Sequence, residues 1–189
     1  MKKIAVLLML VGVAFLAVGG YKFYKTQAAE KESLKEAHAL LEKNDDKQKI
    51  DPTAFKPKTN ETVGLLEIPS IDASLAIVEG TDPDDLEKGV GHYAGSAYPA
   101  QNDQVVLSGH RDTVFRRLGD VSIGDTFTIK LPHGDFDYEM IDSKIVDADD
   151  TSIIKSTAPN EELVITTCYP FSYVGNAPER YIIYAQPVK

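Results

Sequence analysis

The sequence predicts a mainly β domain carried behind an N-terminal apolar helix. Three observations lead there. From Thr62 onward the chain reads as short runs rich in β-branched and aromatic residues; clusters of Pro, Gly, Asn and Asp punctuate those runs; and no long helical pattern alternates with them. The predicted strands are Thr62–Ile68, Ser74–Glu79, Val105–Ser108, Asp125–Leu131, Phe136–Val146, Leu163–Thr167 and Tyr181–Gln186, with a short extra piece near Val90–Tyr93. Pro69-Ser70, Pro132-His133-Gly134-Asp135 and Gly175-Asn176-Ala177-Pro178 supply turns. Helical signals are few: Asp84 to Lys88 after a cap at Asp82-Pro83, and a turn around Val114–Leu118. Short strands without crossover helices favour a closed barrel or sandwich over a βαβ sheet.

Ahead of that domain, a short basic start (Met1-Lys2-Lys3) precedes a run without charge from Ile4 to Gly20. Crossing a bilayer as a helix takes roughly 17–25 apolar residues, so this run sits at the short end of the range. Tyr21, Phe23 and Tyr24, interleaved with Lys22 and Lys25, suit a membrane–water interface. A cleaved signal peptide is the rival: Ala17-Val18-Gly19 has suitably small residues, but the apolar run exceeds the usual ~7–15 residues. Residues 1–25 are therefore read as a single-pass membrane anchor with the rest of the chain outside the cell. From Thr26 to about Asn60 the composition shifts to Glu, Lys, Ala and Gln. Ala28 to Lys43 holds strong helix formers, with Leu34, Ala37, His38 and Leu41 roughly on one side. Asn44-Asp45-Asp46 should end that helix, and Pro52 and Pro57 mark an extended stretch. Residues 26–60 thus read as a stalk and 61–189 as the globular domain, with His38 solvated.

Composition narrows the function. Of 189 residues 43% are hydrophobic, enough for a real core, and the formal charge of −9 leaves no basic stripe for nucleic acid. It also argues against broad adsorption to anionic headgroups. One cysteine, Cys168, excludes an intrachain disulfide and a multi-cysteine metal site. A lone thiol is most often a small buried hydrophobe. In an exported chain, however, a free thiol is open to oxidation, so its presence calls for a reason.

Three stretches carry candidate chemistry. Val105-Val106-Leu107-Ser108-Gly109-His110 is an apolar run ending in Gly-His; alone, such a histidine is more often structural. Leu163-Val164-Ile165-Thr166-Thr167-Cys168-Tyr169-Pro170 ends a β-rich run in the thiol, and Pro170 forces a break straight after it. Glu179-Arg180-Tyr181 sets a permanent cation at the start of the last strand. An ordinary thiol, with a pKa near ~8.5, is only slightly ionised at neutral pH. An imidazole can take its proton and return one to a leaving amine. A guanidinium offers fixed donors to an oxyanion.

These residues, taken together and in this order, resemble the sortases, membrane-anchored cysteine transpeptidases of Gram-positive bacteria. The family's Thr-Leu-x-Thr-Cys motif is matched by Val164-Ile165-Thr166-Thr167-Cys168, with two conservative departures at its start. The similarity covers roughly Thr62 to Lys189. Gly91-His92-Tyr93, His110-Arg111-Asp112-Thr113 and Cys168-Tyr169-Pro170-Phe171 look most like class D members. The resemblance implies an eight-stranded β-barrel and a two-step reaction. Cys168 would attack after Thr in a C-terminal Leu-Pro-x-Thr-type sorting motif of surface proteins, and an amine of a peptidoglycan precursor would resolve the thioacyl-enzyme. His110 would act as acid and base, Arg180 would stabilise the oxyanion, and Thr167 would line the site and contact substrate. Some class A sortases bind calcium through acids before the histidine strand; here Ala94 to Asp103 offers only Asp103, and no metal or cofactor is expected. The acids at Asp82, Asp84, Asp85 and Glu87 read as a solvated helix start. His92 and His133 are not expected to act as the base. Two other readings stay open: a cysteine endopeptidase with water as acceptor, and a non-catalytic anchored binding domain with Cys168 in its core.

Overall fold

The computed structural model describes residues 2–43, 51–173 and 175–188. Its globular part is a closed barrel of eight strands: β1 (Thr62–Ile68), β2 (Ala73–Glu79), β3 (Val90–His92), β4 (Gln104–Gly109), β5 (Thr126–Leu131), β6 (Gly134–Asp147), β7 (Glu162–Tyr169) and β8 (Glu179–Pro187). Around the barrel the order is β1-β2-β3-β4-β7-β8-β6-β5, closed by β5 against β1. Closure leaves no unpaired sheet edge. Each predicted run is a strand, with ends moved by a residue or two. The predicted helical pieces are also present, as α2 (Pro83–Leu86) and as turns over residues 111–117 that lead into a 3-10 turn at Leu118–Asp120.

Most neighbours are antiparallel, but β2 with β3 and β4 with β7 run parallel. The β4–β7 pair is the one that positions the site. Strand residues alternate between faces. Val105 and Leu107 of β4, Leu163 and Ile165 of β7, and Ile183 and Ala185 of β8 point inward to the main core with Phe115, Phe127 and Tyr138. The intervening Val106, Val164 and Ile182 form a second buried cluster on the outer face, beneath Ile153 of the β6–β7 connection and beside Val146 and Tyr184. Burial on both faces explains why β4 and β7 read as nearly continuous apolar runs.

The N-terminal segment is one unbroken helix, α1 (Lys2–Glu42). Its first half is strongly apolar and exposed, long enough and apolar enough to cross a membrane. Its second half is packed on the barrel: Ala37 is fully buried with Leu34 and Leu41 against Leu65 of β1 and Ala76 of β2. Thr62 Oγ1 donates to the Glu36 carboxylate at 2.8 Å. The stripe of Leu34, Ala37 and Leu41 is thus a docking seam rather than the surface of a free stalk, while His38 is exposed. The expected stop at Asn44-Asp45-Asp46 lies outside the described residues.

A buried polar trio pins β2 to β3 and to the loop after it. Glu79 Oε2 accepts from His92 Nδ1 at 2.7 Å and from the Tyr98 hydroxyl at 2.5 Å, and the two rings stack 3.9 Å apart. The other His92 ring nitrogen, Nε2, lies 2.9 Å from the Ala97 carbonyl. His92 is therefore fully engaged in structure.

Candidate active site

Register brings the predicted residues together. Cys168 near the end of β7 is directly opposite Arg180 near the start of β8. On its other side, β7 pairs with β4 in parallel up to Gly109↔Thr167, so Cys168 is the next residue of β7 and His110 the first residue past β4. Paired strands lie about 4.8 Å apart, so the Arg180 backbone is one strand spacing from Cys168, and His110 is the first residue past the last paired rung of β4. Parity puts Cys168 on the same face as Val164 and Thr166, and Arg180 on that of Ile182. The candidate site is thus on the outside of the barrel wall, at the end of a strip whose far part is covered by Ile153.

Cys168 is a free, half-buried thiol. His110 is exposed, and its backbone carbonyl accepts from the Phe115 amide at 3.1 Å as the chain folds back. Gly109 makes that fold possible. A Cβ there would lie 2.6 Å from the Phe115 ring, which fills the barrel core with no exposed surface. Arg180 is half-buried, with Nη1 donating to the carbonyls of Glu179 (2.9 Å) and Ala177 (3.3 Å). It forms no ion pair among the described residues, so its charge is free to act on a substrate.

Thr167, read from the sequence as a lining residue, is placed differently. It is 3% exposed and faces the barrel interior, with its hydroxyl donating to the Gly109 carbonyl at 2.7 Å. The reason is the two-residue period of a strand: with Cys168 outward, its neighbour must point inward. Thr167 fastens β7 to β4 at the last rung before His110 and Cys168.

Sequence reasoning did not single out Arg111. This cation is 6% exposed, and its Nη2 donates to the carbonyls of Tyr173 (2.8 Å) and Gly175 (2.9 Å) while the guanidinium lies over the Tyr173 ring. It therefore ties the β7–β8 connection to the chain beside His110. Phe171 braces the same connection, stacking edgewise on Tyr181 and approaching Gly119. The only available signal for Arg111 was its place beside His110. A buried arginine must find acceptors, but sequence does not say which.

His133 is held between Phe55 and Phe136, and burial pushes its pKa down. It is remote in role from the thiol. Asp103 accepts backbone hydrogen bonds from Thr157 and Gln104, which hold its carboxyl below the usual range. No group of three or more His, Cys, Asp and Glu side chains suited to a metal ion occurs among the described residues.

Comparison with known proteins gives this geometry a context. The model of the Sortase domain family matches residues 66–188. The chain is 51% identical to Sortase D of Bacillus subtilis (strain 168) over the full length of both. Among solved structures, a Clostridium perfringens sortase D transpeptidase superposes with a TM-score of 0.72 at 25% identity, covering 86% of this chain and 99% of that one. A Clostridium perfringens sortase C, solved with the C-terminal cell wall sorting motif, superposes with a TM-score of 0.64 at 25% identity, covering 86% and 89%.

Proposed function

Since this chain belongs to the sortase family and is a sortase-type cysteine transpeptidase, we propose that Cys168 is its nucleophile, His110 its acid and base, and Arg180 its oxyanion donor, acting on surface proteins with a C-terminal Leu-Pro-x-Thr-type signal. The observation that carries this reading is the register that sets Arg180 across from Cys168 and His110 one step past Gly109↔Thr167.

In the first half-reaction the Cys168 sulfur, having lost its proton to His110, attacks the carbonyl carbon after threonine. The carbonyl electrons move to oxygen, where Arg180 supplies fixed donors. Collapse breaks the carbon–nitrogen bond, and His110 returns the proton to the leaving amine. In the second, the amine of a cell-wall precursor attacks the thioester, loses its proton to His110, and displaces the thiol. Thr167 and Arg111 touch neither reacting group; they hold the two strand ends and the β7–β8 connection in place.

Residues 1–25 serve as a single-pass anchor, the rest of α1 as the support of the barrel, and residues 61–189 as the catalytic domain outside the cell. The exposed apolar half of α1 supports this reading. The test is to incubate the protein with a set of Leu-Pro-x-Thr peptides and triglycine. A ligated product carries the proposal. Cleavage giving only a free carboxylate would reduce the enzyme to an endopeptidase.

A further inference from the structure

A cavity of about 690 Å³ lies between α1 and the barrel beside the His110 loop. Phe23, Gln27, Glu30 and Lys31 of α1 form one wall, at the three- and four-residue spacing of a single helix face. β2 and the segment Thr113–Arg117 form the other. No step of the acyl transfer uses it.

Its charge is opposite to that of the molecule. Lys31, Lys88, Arg116 and Arg117 line it against two carboxylates, Glu30 and Asp72, in a chain of formal charge −9. These cations are poorly neutralised. Arg116 donates to the uncharged carbonyl of Asp112, and Lys88 to Asn60. Lys31 has no ion-pair partner among the described residues, and Arg117 is paired with the exposed Asp120. Two wall atoms, Glu30 Oε1 and Thr113 Oγ1, are buried without a hydrogen bond of full geometry, although the Thr113 side chain stands close enough to the Glu30 carboxyl to pull its pKa down. Such atoms are rare in native structures and call for a ligand or a water. Burial lifts the Glu30 carboxyl above its ordinary pKa, against the opposing influence of Thr113, Arg116 and His110.

Position completes the case. At about 1.5 Å per residue, Phe23 lies about 5 Å and Leu34 about 21 Å beyond Gly20, the end of the apolar run. The polar layer outside a bilayer's hydrocarbon core is about 5–8 Å deep on each side. The mouth of the groove at Phe23 therefore opens at headgroup depth, while its cationic part at Lys31, about 17 Å beyond Gly20, stands above that layer beside the catalytic loop.

We propose that this groove binds the phosphate of a lipid headgroup rising from the membrane, through Lys31, Lys88 and Arg116 and the Thr113 hydroxyl. The proposal rests on the anchored reading of α1 given above. It gives a chain too acidic to adsorb broadly on anionic lipid one local site that selects phosphate.

The test uses the full chain reconstituted in phosphatidylcholine vesicles, with and without phosphatidylinositol phosphate, whose ring phosphate stands outward of the diester. Amide hydrogen exchange is read over residues 27–34 and 113–117. Phosphatidylinositol phosphate should protect both segments, and the double variant Lys31→Glu/Arg116→Glu should need about tenfold more of it for the same protection. Thr113→Val, a smaller change that keeps the fold, should weaken it in the same direction. Lys58→Glu, outside the groove, should not. Equal protection by neutral vesicles, wild-type behaviour of both groove variants, or an equal loss in Lys58→Glu would overturn the proposal. Protection by inorganic phosphate at matched concentration would assign the site to a soluble ligand and overturn the lipid source. A full chain that fails to stay with neutral vesicles would overturn the anchored reading itself, a distinct result.

Discussion

The Thr167 hydroxyl donates to the Gly109 carbonyl across the parallel β4–β7 pair, at 2.7 Å and out of reach of solvent. This bond sets the level at which His110 and Cys168 leave their strands. Thr167→Val keeps the shape but orphans a buried carbonyl, which costs about 1–3 kcal/mol. We expect a lower melting temperature and a fall in kcat with KM little changed, because the residue acts through its neighbours. Thr167→Ser should recover most of both. Equal kcat in the Val and Ser variants would count against a positioning role.

Cys168→Ala removes the nucleophile from a half-buried outward position and leaves the core intact. Peptide turnover should vanish while the melting curve stays close to wild type. Turnover at the wild-type rate would end the assignment.

Arg180→Lys keeps the charge and loses the planar fork of donors. With Arg180 paired across from Cys168 in the sheet, the rate should drop by roughly 10²-fold or more, as loss of an oxyanion donor does. Thermal stability should barely move. Wild-type kinetics in a folded variant would take Arg180 out of the reaction.

Two truncations separate the roles of α1. A chain starting at Thr26 loses the apolar half and should be soluble, folded and active. One starting at Asp51 also loses Leu34, Ala37 and Leu41, baring Leu65 and Ala76. It should be less stable by roughly 2 kcal/mol or more, about the value of burying one large aliphatic side chain. It also removes Glu30 from the neighbourhood of His110. Identical melting of the two chains would mean that the seam contributes nothing.

Burial pushes the Glu79 carboxyl up, but the bonds from His92 and Tyr98 prevail and hold it below its ordinary value of 4.5. A carboxylate depressed in the folded state stabilises above its unfolded pKa, and that stability is lost as pH falls through the folded value. Wild-type melting should therefore be steady at neutral pH and fall once pH drops below about 4.5. Glu79→Gln should melt lower at neutral pH, and the gap should close in acid. A gap of constant size across that range would show that the charge of Glu79 is not what stabilises the trio.

The strands were legible because β-branched residues and turn clusters mark them directly, and closure of the sheet agrees with the implied barrel. Cys168, His110 and Arg180 were legible as candidates because each stands at the end of an apolar run. What brings them together was not. The parallel β4–β7 pairing joins segments 58 residues apart, and no local pattern records register between distant strands. Thr167 was expected beside the thiol from its place in the motif, whereas the alternation of a strand sets adjacent residues on opposite faces. The docking seam on α1 is only one residue wide at each turn, so it resembled the solvated helix of a stalk. Arg111 hides for a similar reason: its acceptors are backbone carbonyls, which leave no trace in residue identity.

On the proposed anchoring, the unbroken course of α1, from its apolar half into its seam on β1 and β2, also governs how the enzyme searches for its substrates. A catalytic head on a slack leash would sweep a hemisphere above its anchor and meet partners at every height. On the proposed anchoring, a head fixed to the shaft that carries it patrols a thin layer at nearly constant altitude. Its encounters then depend on lateral drift within the sheet of lipid, and lengthening or shortening the helix by a turn raises or lowers the working height by about 5.4 Å.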